Sequence, residues 1–388
     1  MKRATGNKSK NRLYFFGEFH EIQKNSTMNR MKKLIPVFLA LVVVLASCQS
    51  SKKSKDAAET KSASNVSISA AGATFPLPFY NMVFADYTKE TGVQVTYGGI
   101  GSGGGIRSLT DKVVDFGATD AYLSDEKLAD MPAEVLHIPT CMGAVVIAYN
   151  LPGVDGLKLS NSLLEKIFMG EITKWNDTEL ASLNPGLSLP DKDISVVHRS
   201  DGSGTTFIFS DYMSKISPKW ADQVGRGKSL NWPVGMGAKG NPGVAGTISA
   251  TEGTIGYIGS EYSFSMKIQT ASLKNSSGNY IEPSIESISA AAKGDIPDDT
   301  RIMLTNSSDP DSYPISGFTW LIFYKEQSYN GRSLEQATET VKLLNWMLSE
   351  EAQSQAPKVH YAPLPELAVS KAKTILKTVT YNGNPILK

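Results

Sequence analysis

Three short stretches of the 388-residue chain combine glycines and hydroxyls in a way suited to holding an anion. They are AAGATFP (70–76), GIGSGGG (99–105) and HRSDGSGTTF (198–207). In each, a β-rich run enters, glycines and hydroxyls make the turn, and a helical pattern leaves. The turn therefore ends on a helix N-terminus, where unpaired backbone N–H groups and about half a positive charge meet Ser or Thr hydroxyls. One such loop is ordinary, because glycines end strands and Ser or Thr cap helices. Three on one chain, free of lysine, suit a small oxyanion that is enclosed by neutral donors. The third loop adds Arg199, whose rigid fork of donors matches an oxyanion. Asp201, two residues on, either holds that guanidinium or serves its own Asx-turn.

Asp120, which closes VDFGATD, is out of place among anion-binding loops unless the ligand brings a proton for it to accept. Arg199, Asp120 and Asp201 together carry a formal charge of −1 (one cation, two anions), so attraction must come from backbone dipoles and hydroxyls. Charge-assisted hydrogen bonds contribute about 1.5–3 kcal/mol each, and several of them reach micromolar binding at about −8 kcal/mol. A fully deprotonated anion facing Asp120 loses several kcal/mol, enough for large selectivity. Phosphate is protonated near neutral pH and sulfate is not, so the pattern prefers phosphate. The second loop also satisfies G-x-G-x-x-G through Gly99, Gly101 and Gly104, with Asp115 and Asp120 downstream, which is roughly the dinucleotide fingerprint.

The N-terminal region weighs against a nucleotide enzyme. Residues 28–47 read as a secretory signal: a basic start (Arg30, Lys32, Lys33), an apolar run from Leu34 to Leu45, and small residues before Cys48. That run is too short for a bilayer core of about 30 Å. LASC is similar to the bacterial lipobox, which implies lipidation of Cys48 and an exported, membrane-anchored lipoprotein, periplasmic or at the cell surface. An exported chain has little access to nicotinamide cofactors. Residues 1–27 are expected to be an untranslated or non-structural extension, with translation starting at Met28 or Met31. Residues 48–65 are polar and free of aromatics, a lipid-anchored flexible linker.

Composition narrows the class further. Cys141 is the only other cysteine, so no intrachain disulfide is expected and Cys141 reads as a small core residue. The globular part from Val66 holds roughly 320 residues, which implies two lobes. A net charge of +1 and the lack of a basic, aromatic-laced stripe exclude nucleic acid as a partner. His137, His198 and His360 lack metal-ligand spacing, and Ser203 is not in a nucleophile elbow because Asp201 stands where the first glycine belongs. No metal, cofactor or catalytic residue is expected. The alternatives are a phosphatase, a phosphate sensor or other surface module without transport, and a site for another oxyanion.

Strand-like and helical runs alternate along the chain, which implies an α/β architecture with mostly parallel sheets. Phe79, Met82, Val83 and Tyr87 fall on one helical face, with Pro76 and Pro78 in the first turn; Val341, Leu344 and Met347 repeat the helical period near the end.

Taken together, AAGATFPLPFY, YGGIGSGGGIRSLTDKVVDFGATDAYLSDE, GEITKWND, VVHRSDGSGTTFIFSDYM, NWPVGMGAKGNPGVAG and GTIGYI resemble the periplasmic phosphate-binding proteins of bacterial phosphate ABC importers. The resemblance covers the chain from about Ser67 to its end. It implies a two-lobed periplasmic-binding-protein fold (type II-like), with two hinge crossovers and a ligand cleft between lobes. The lobes would be 67–141 with 313–388, and 142–312. The implied phosphate contacts are Thr74 through its hydroxyl, Phe75 through its N–H, Ser102 through both, Asp120 as proton acceptor, and Arg199 directly, supported by Asp201. Ser203, Gly204 and Thr205 would add the second lobe's helix start. The implied partners are inorganic phosphate and the permease subunits of the importer, with the chain a monomer. His198 departs from the family, in which another basic residue often precedes the arginine; this makes the charge behind Arg199 pH-sensitive.

Overall fold

A computed structural model describes residues 66–387. The expected extension, the signal peptide, Cys48 and the linker up to residue 65 lie outside the described residues. Twelve strands carry the architecture: β1 (Ser67–Gly72), β2 (Gln94–Gly99), β3 (Phe116–Thr119), β4 (Val135–Tyr149), β5 (Lys158–Leu159) and β6 (Ser195–Arg199), then β7 (Met236–Ala238), β8 (Thr254–Gly259), β9 (Gln269–Thr270), β10 (Ser272–Lys274), β11 (Tyr280–Ile281) and β12 (Ser316–Tyr324). The main sheet runs β2-β1-β3-β12-β4-β8-β6-β7, with β9 beside β4; a small sheet runs β11-β10-β5.

The sheet is parallel only in its flanks. β1 pairs in parallel with β2 and β3, and β6 with β7 and β8, but β4 and β12 run antiparallel to each other and to the flanks they join. This corrects the expectation of mostly parallel sheets. The reason lies in β4, a single 15-residue strand whose first part, Val135–Ala144, pairs with β12 and whose last part, Val145–Tyr149, pairs with β8. A chain that leaves one half of the sheet along β4 and returns along β12 must lay the two strands head to tail. Both are buried almost throughout, so their sequences read as continuous apolar runs rather than alternating ones.

The helices cover this sheet with the faces their periodicity requires. Leu77–Thr91 buries Phe79, Tyr80, Val83, Phe84 and Tyr87, while Met82 is only half-buried, so the apolar face is turned slightly from the one expected. Leu334–Trp346 buries Val341 and Leu344, with Met347 buried just beyond it. Cys141 is a buried free thiol in β4, as its apolar surroundings implied.

The helix that follows β2, Ser102–Thr110, packs so closely that Gly105 touches the strands beneath. A Cβ there would lie 2.6 Å from Gly72 Cα, 2.7 Å from Ala71 O and 2.8 Å from Ala118 O, all backbone atoms that cannot swing aside. Gly105→Ala is therefore expected to lower stability by about 2–3 kcal/mol, in the range of overpacked cores. A melting temperature unchanged within a degree would contradict this contact.

Candidate functional site

Four strand ends converge on one point. β1 runs into Thr74 and Phe75, β2 into Gly101 and Ser102, β3 into Asp120, and β6 ends on Arg199 itself. Strand carboxyl ends feeding helix starts are where open α/β sheets present backbone donors. Ser203 caps the helix Gly204–Ile216 by accepting from Thr206 N at 2.9 Å, and the first N–H of that helix, on Gly204, donates across to Ser102 Oγ at 3.1 Å. Thr74, Ser102, Asp120, Arg199, Ser203 and Thr205 are all buried.

The loops from the two halves of the sheet touch directly. Gly103 N donates to Gly202 O at 2.8 Å. Gly101 has φ +84°, and a Cβ on it would stand 2.4 Å from Asp201 Oδ2. A Cβ on Gly204 would meet Ser102 Oγ at 2.4 Å and Asp120 Cβ at 2.7 Å. Glycine at these positions is what lets the two halves close on each other.

Hydrogen bonds fix each side chain. Ser102 Oγ accepts from Asp120 N at 3.2 Å and from Gly204 N at 3.1 Å, one donor from each half. Arg199 donates from Nε and Nη2 to the two oxygens of Asp201 at 2.7 and 2.6 Å, and from Nη1 to Thr205 Oγ1 at 3.2 Å. Asp201 thus holds the guanidinium, which decides between the two roles left open for it. Burial alone would raise the Asp201 carboxyl, but the ion pair with Arg199 and the Gly240 N–H hold it below its ordinary value. Asp120 Oδ1 accepts from Thr319 Oγ1 at 2.8 Å. Burial pushes the Asp120 pKa up to about 7, against the opposing pull of Thr319, Arg199, Ser102 and Lys228. A carboxyl poised near neutrality among fixed donors can exchange a proton with an anion at physiological pH.

Several contributors escaped the sequence reading. Thr319 lies 199 residues from Asp120, inside a run that reads only as core. The β4–β12 register shifts between Thr319 and Trp320, and such a bulge re-aims side chains. Tyr257 receives the Arg199 N–H at 3.0 Å. Asn241 follows Gly240 (φ +69°) at the start of the helix Gly240–Ala250. Here the signal was present: GAKGNPG is a fourth strand–glycine–helix junction. Half-buried Lys228 supplies a cation whose field reaches Asp120, although none of the three loops contains a lysine.

Two of the histidines, His198 and His137, are accounted for by packing. His198 stacks on Trp232 with ring centroids 4.6 Å apart, and burial lowers its pKa, so it stays neutral at pH 7 behind Arg199. His137 accepts from Leu123 N at 3.1 Å through Nε2, and burial lowers its pKa to about 3.

Among the described residues, Glu261 is the one buried carboxylate with no hydrogen-bond partner for either oxygen. The Tyr361 hydroxyl is close by but donates to Phe75 O instead. Burial pushes the Glu261 carboxyl well above its ordinary value. The folded chain therefore binds more protons here than the unfolded one, and stability falls as pH rises from about 4.5 toward the raised pKa. Glu261→Gln should leave the melting temperature nearly unchanged at pH 4 and raise it increasingly toward pH 8. A pH-independent difference would refute the buried-carboxylate account.

The fold and this cleft define a class, two-lobed binding proteins. Residues 57–351 match the PBP superfamily domain. The phosphate-binding protein PstS of Haemophilus influenzae is 41% identical over 319 residues, covering 80% of this chain and 93% of that protein. The phosphate-binding protein PstS of Xylella fastidiosa strain 9a5c is 40% identical over 314 residues, covering 80% and 84%. In structure, the chain is similar to a high-affinity periplasmic phosphate-binding protein (PfluDING) bound with phosphate, with a TM-score of 0.65 at 22% identity over 80% of this chain and 93% of that one. It is also similar to an ABC-type phosphate transport receptor from Vibrio cholerae, with a TM-score of 0.51 at 18% identity over 77% and 100%. The chain belongs to the PBP superfamily and, within it, to the family of the phosphate-binding proteins PstS.

Proposed function

We propose that the chain captures inorganic phosphate between its lobes, without chemistry, and delivers it to the permease of an ABC-type phosphate importer. The observation that carries this reading is Asp120: a buried carboxyl with a pKa of about 7, ringed by Ser102, Arg199 and the start of the helix Gly204–Ile216. The ligand that fits must accept hydrogen bonds from all sides but one and donate on that one. Monohydrogen or dihydrogen phosphate does this; sulfate lacks the proton.

In this reading Thr74, Ser102, Ser203 and Thr205 donate through hydroxyls, Phe75 and Ser102 through backbone N–H groups, and Arg199 through its guanidinium, while Gly204 brings its N–H to Ser102 Oγ and so sets that hydroxyl toward the ligand. The lobes are 67–141 with 313–388, and 142–312, hinged where β4 and β12 cross. Ligand favours the closed form through the contacts it gains there. The mature monomer is exported and tethered to a membrane through lipidated Cys48 and the linker 48–65. The family of its relatives and the signal-like residues 28–47 support this placement.

Calorimetry with phosphate and sulfate from pH 5 to 9 tests the reading. One phosphate per chain is expected, with sulfate much weaker at pH 8; equal affinities there would refute the role of Asp120. Purified protein should turn over no phosphate ester. Hydrolysis lost in Ser203→Ala would overturn a binding-only function.

A further inference from the structure

Asn241 stands between the two lobes, on a residue from each. Gly259 N donates to its Oδ1 at 3.1 Å, which fixes which end of the amide is which. The NH2 end then faces Thr74 Oγ1 at 3.2 Å and Thr205 Oγ1 at 3.0 Å, one hydrogen for each. Thr74 Oγ1 receives a second donor, Asn241 N, at 3.1 Å, and Thr205 Oγ1 receives Arg199 Nη1 at 3.2 Å. A hydroxyl oxygen has two lone pairs. In both threonines these are filled by N–H donors, so each O–H hydrogen has to point elsewhere, as a donor. Ser102 is in the same state, with Asp120 N and Gly204 N on its oxygen.

We infer that Asn241 is a positioning residue for anion selectivity: it turns the Thr74 and Thr205 hydroxyls into obligatory donors toward the ligand. This inference rests on phosphate capture at this site. Free to rotate, a threonine hydroxyl greets a donor or an acceptor equally well. With both lone pairs occupied it rejects a neutral donor and favours an anion. Thr74 lies at the end of β1 and Asn241 beyond β7, on opposite flanks of the sheet. The Asn241–Thr74 bonds therefore form when the cleft closes, and the polarity of the Thr74 hydroxyl is set at the moment the ligand is enclosed. Asn241 touches no ligand atom in this scheme; it acts wholly through the two hydroxyls.

A double-mutant cycle on phosphate affinity tests this, because a residue acting through two hydroxyls loses its effect when they are absent. Asn241→Ala should weaken phosphate binding by about tenfold or more in the otherwise unaltered chain. In the Thr74→Val/Thr205→Val background, the same replacement should change affinity by less than about twofold. A purely structural role for Asn241 would give the same loss in both backgrounds, and that additivity would overturn the inference. If Asn241→Ala lowers the melting temperature enough to blur the comparison, Asn241→Leu removes the same donors at closer volume and must give the same pattern. Failure of the unaltered chain to bind phosphate would overturn both this inference and the function on which it rests. Phosphate binding with additive losses would overturn the role of Asn241 alone.

Discussion

Replacing Arg199 by methionine is expected to weaken phosphate binding by about a thousandfold or more. The guanidinium is the only charged donor in the three loops, and its side chain is buried, 1% exposed. Charge-assisted bonds to an oxyanion contribute about 1.5–3 kcal/mol each, and the fork can make two. A second loss comes from Asp201, whose side chain is 13% exposed and whose two oxygens both take hydrogen bonds from Arg199. Removing one partner of a nearly buried ion pair costs about 3–5 kcal/mol, because the other charge is stranded. The stranded carboxylate also faces the incoming anion. Arg199→Met/Asp201→Asn separates the two losses: stability should return toward that of the unaltered protein, while phosphate affinity stays low. Arg199→Lys keeps the charge but not the fork, and should fall between. Calorimetry and melting curves on the four proteins decide it. Affinity within tenfold of the original in Arg199→Met would exclude Arg199 from the site.

The three loops were legible in the sequence because local rules wrote them: a strand, glycines, a hydroxyl cap and a helix lie within ten residues of one another. Arg199 and Asp201 were legible for the same reason, being neighbours on one turn. What the sequence could not reveal depends on chain crossing. Thr319 reaches Asp120 only because β12 lies between β3 and β4, and a run reading SGFTWLIFY shows no sign that one hydroxyl is aimed at a carboxylate. The antiparallel centre of the sheet escaped for a similar reason. Strand direction follows from where the chain re-enters the first lobe, and the residues of β12 carry no record of that. Asn241 is the intermediate case. Its glycine-flanked junction matched the other loops but lacks their hydroxyls, and no role was read from it; its meaning comes from the amide orientation imposed by Gly259. The G-x-G-x-x-G match was correct physics with the wrong ligand: Gly101 serves close approach to Asp201 rather than a pyrophosphate.

Asp120→Asn is expected to collapse the discrimination between phosphate and sulfate, most strongly at high pH. Burial pushes the Asp120 carboxyl up to about 7 from an ordinary value of 3.8, because it disfavours the charged form. Sulfate brings no proton, so it fits only when Asp120 is protonated and can donate to it. Binding then takes up one proton from solution wherever the ligand-free site holds Asp120 ionised, so above about pH 7 affinity falls by up to about tenfold for each pH unit. Between pH 5 and pH 8 sulfate should lose about tenfold, nearly all of it above pH 7, while phosphate, which supplies its own proton, loses much less. The amide of Asp120→Asn donates at every pH. Sulfate affinity in the variant should therefore be flat with pH and exceed that of the unaltered protein by about tenfold at pH 8 and about a hundredfold at pH 9. Stability gives an independent reading with a definite sign. A raised carboxyl pKa makes the folded state the better proton binder, so the unaltered protein loses stability as pH climbs from about 4 to about 7. Asp120→Asn removes that loss and should melt higher at pH 8, yet equally at pH 4. A phosphate-to-sulfate ratio at pH 8 that survives the substitution would show that something other than the Asp120 proton tells the two anions apart.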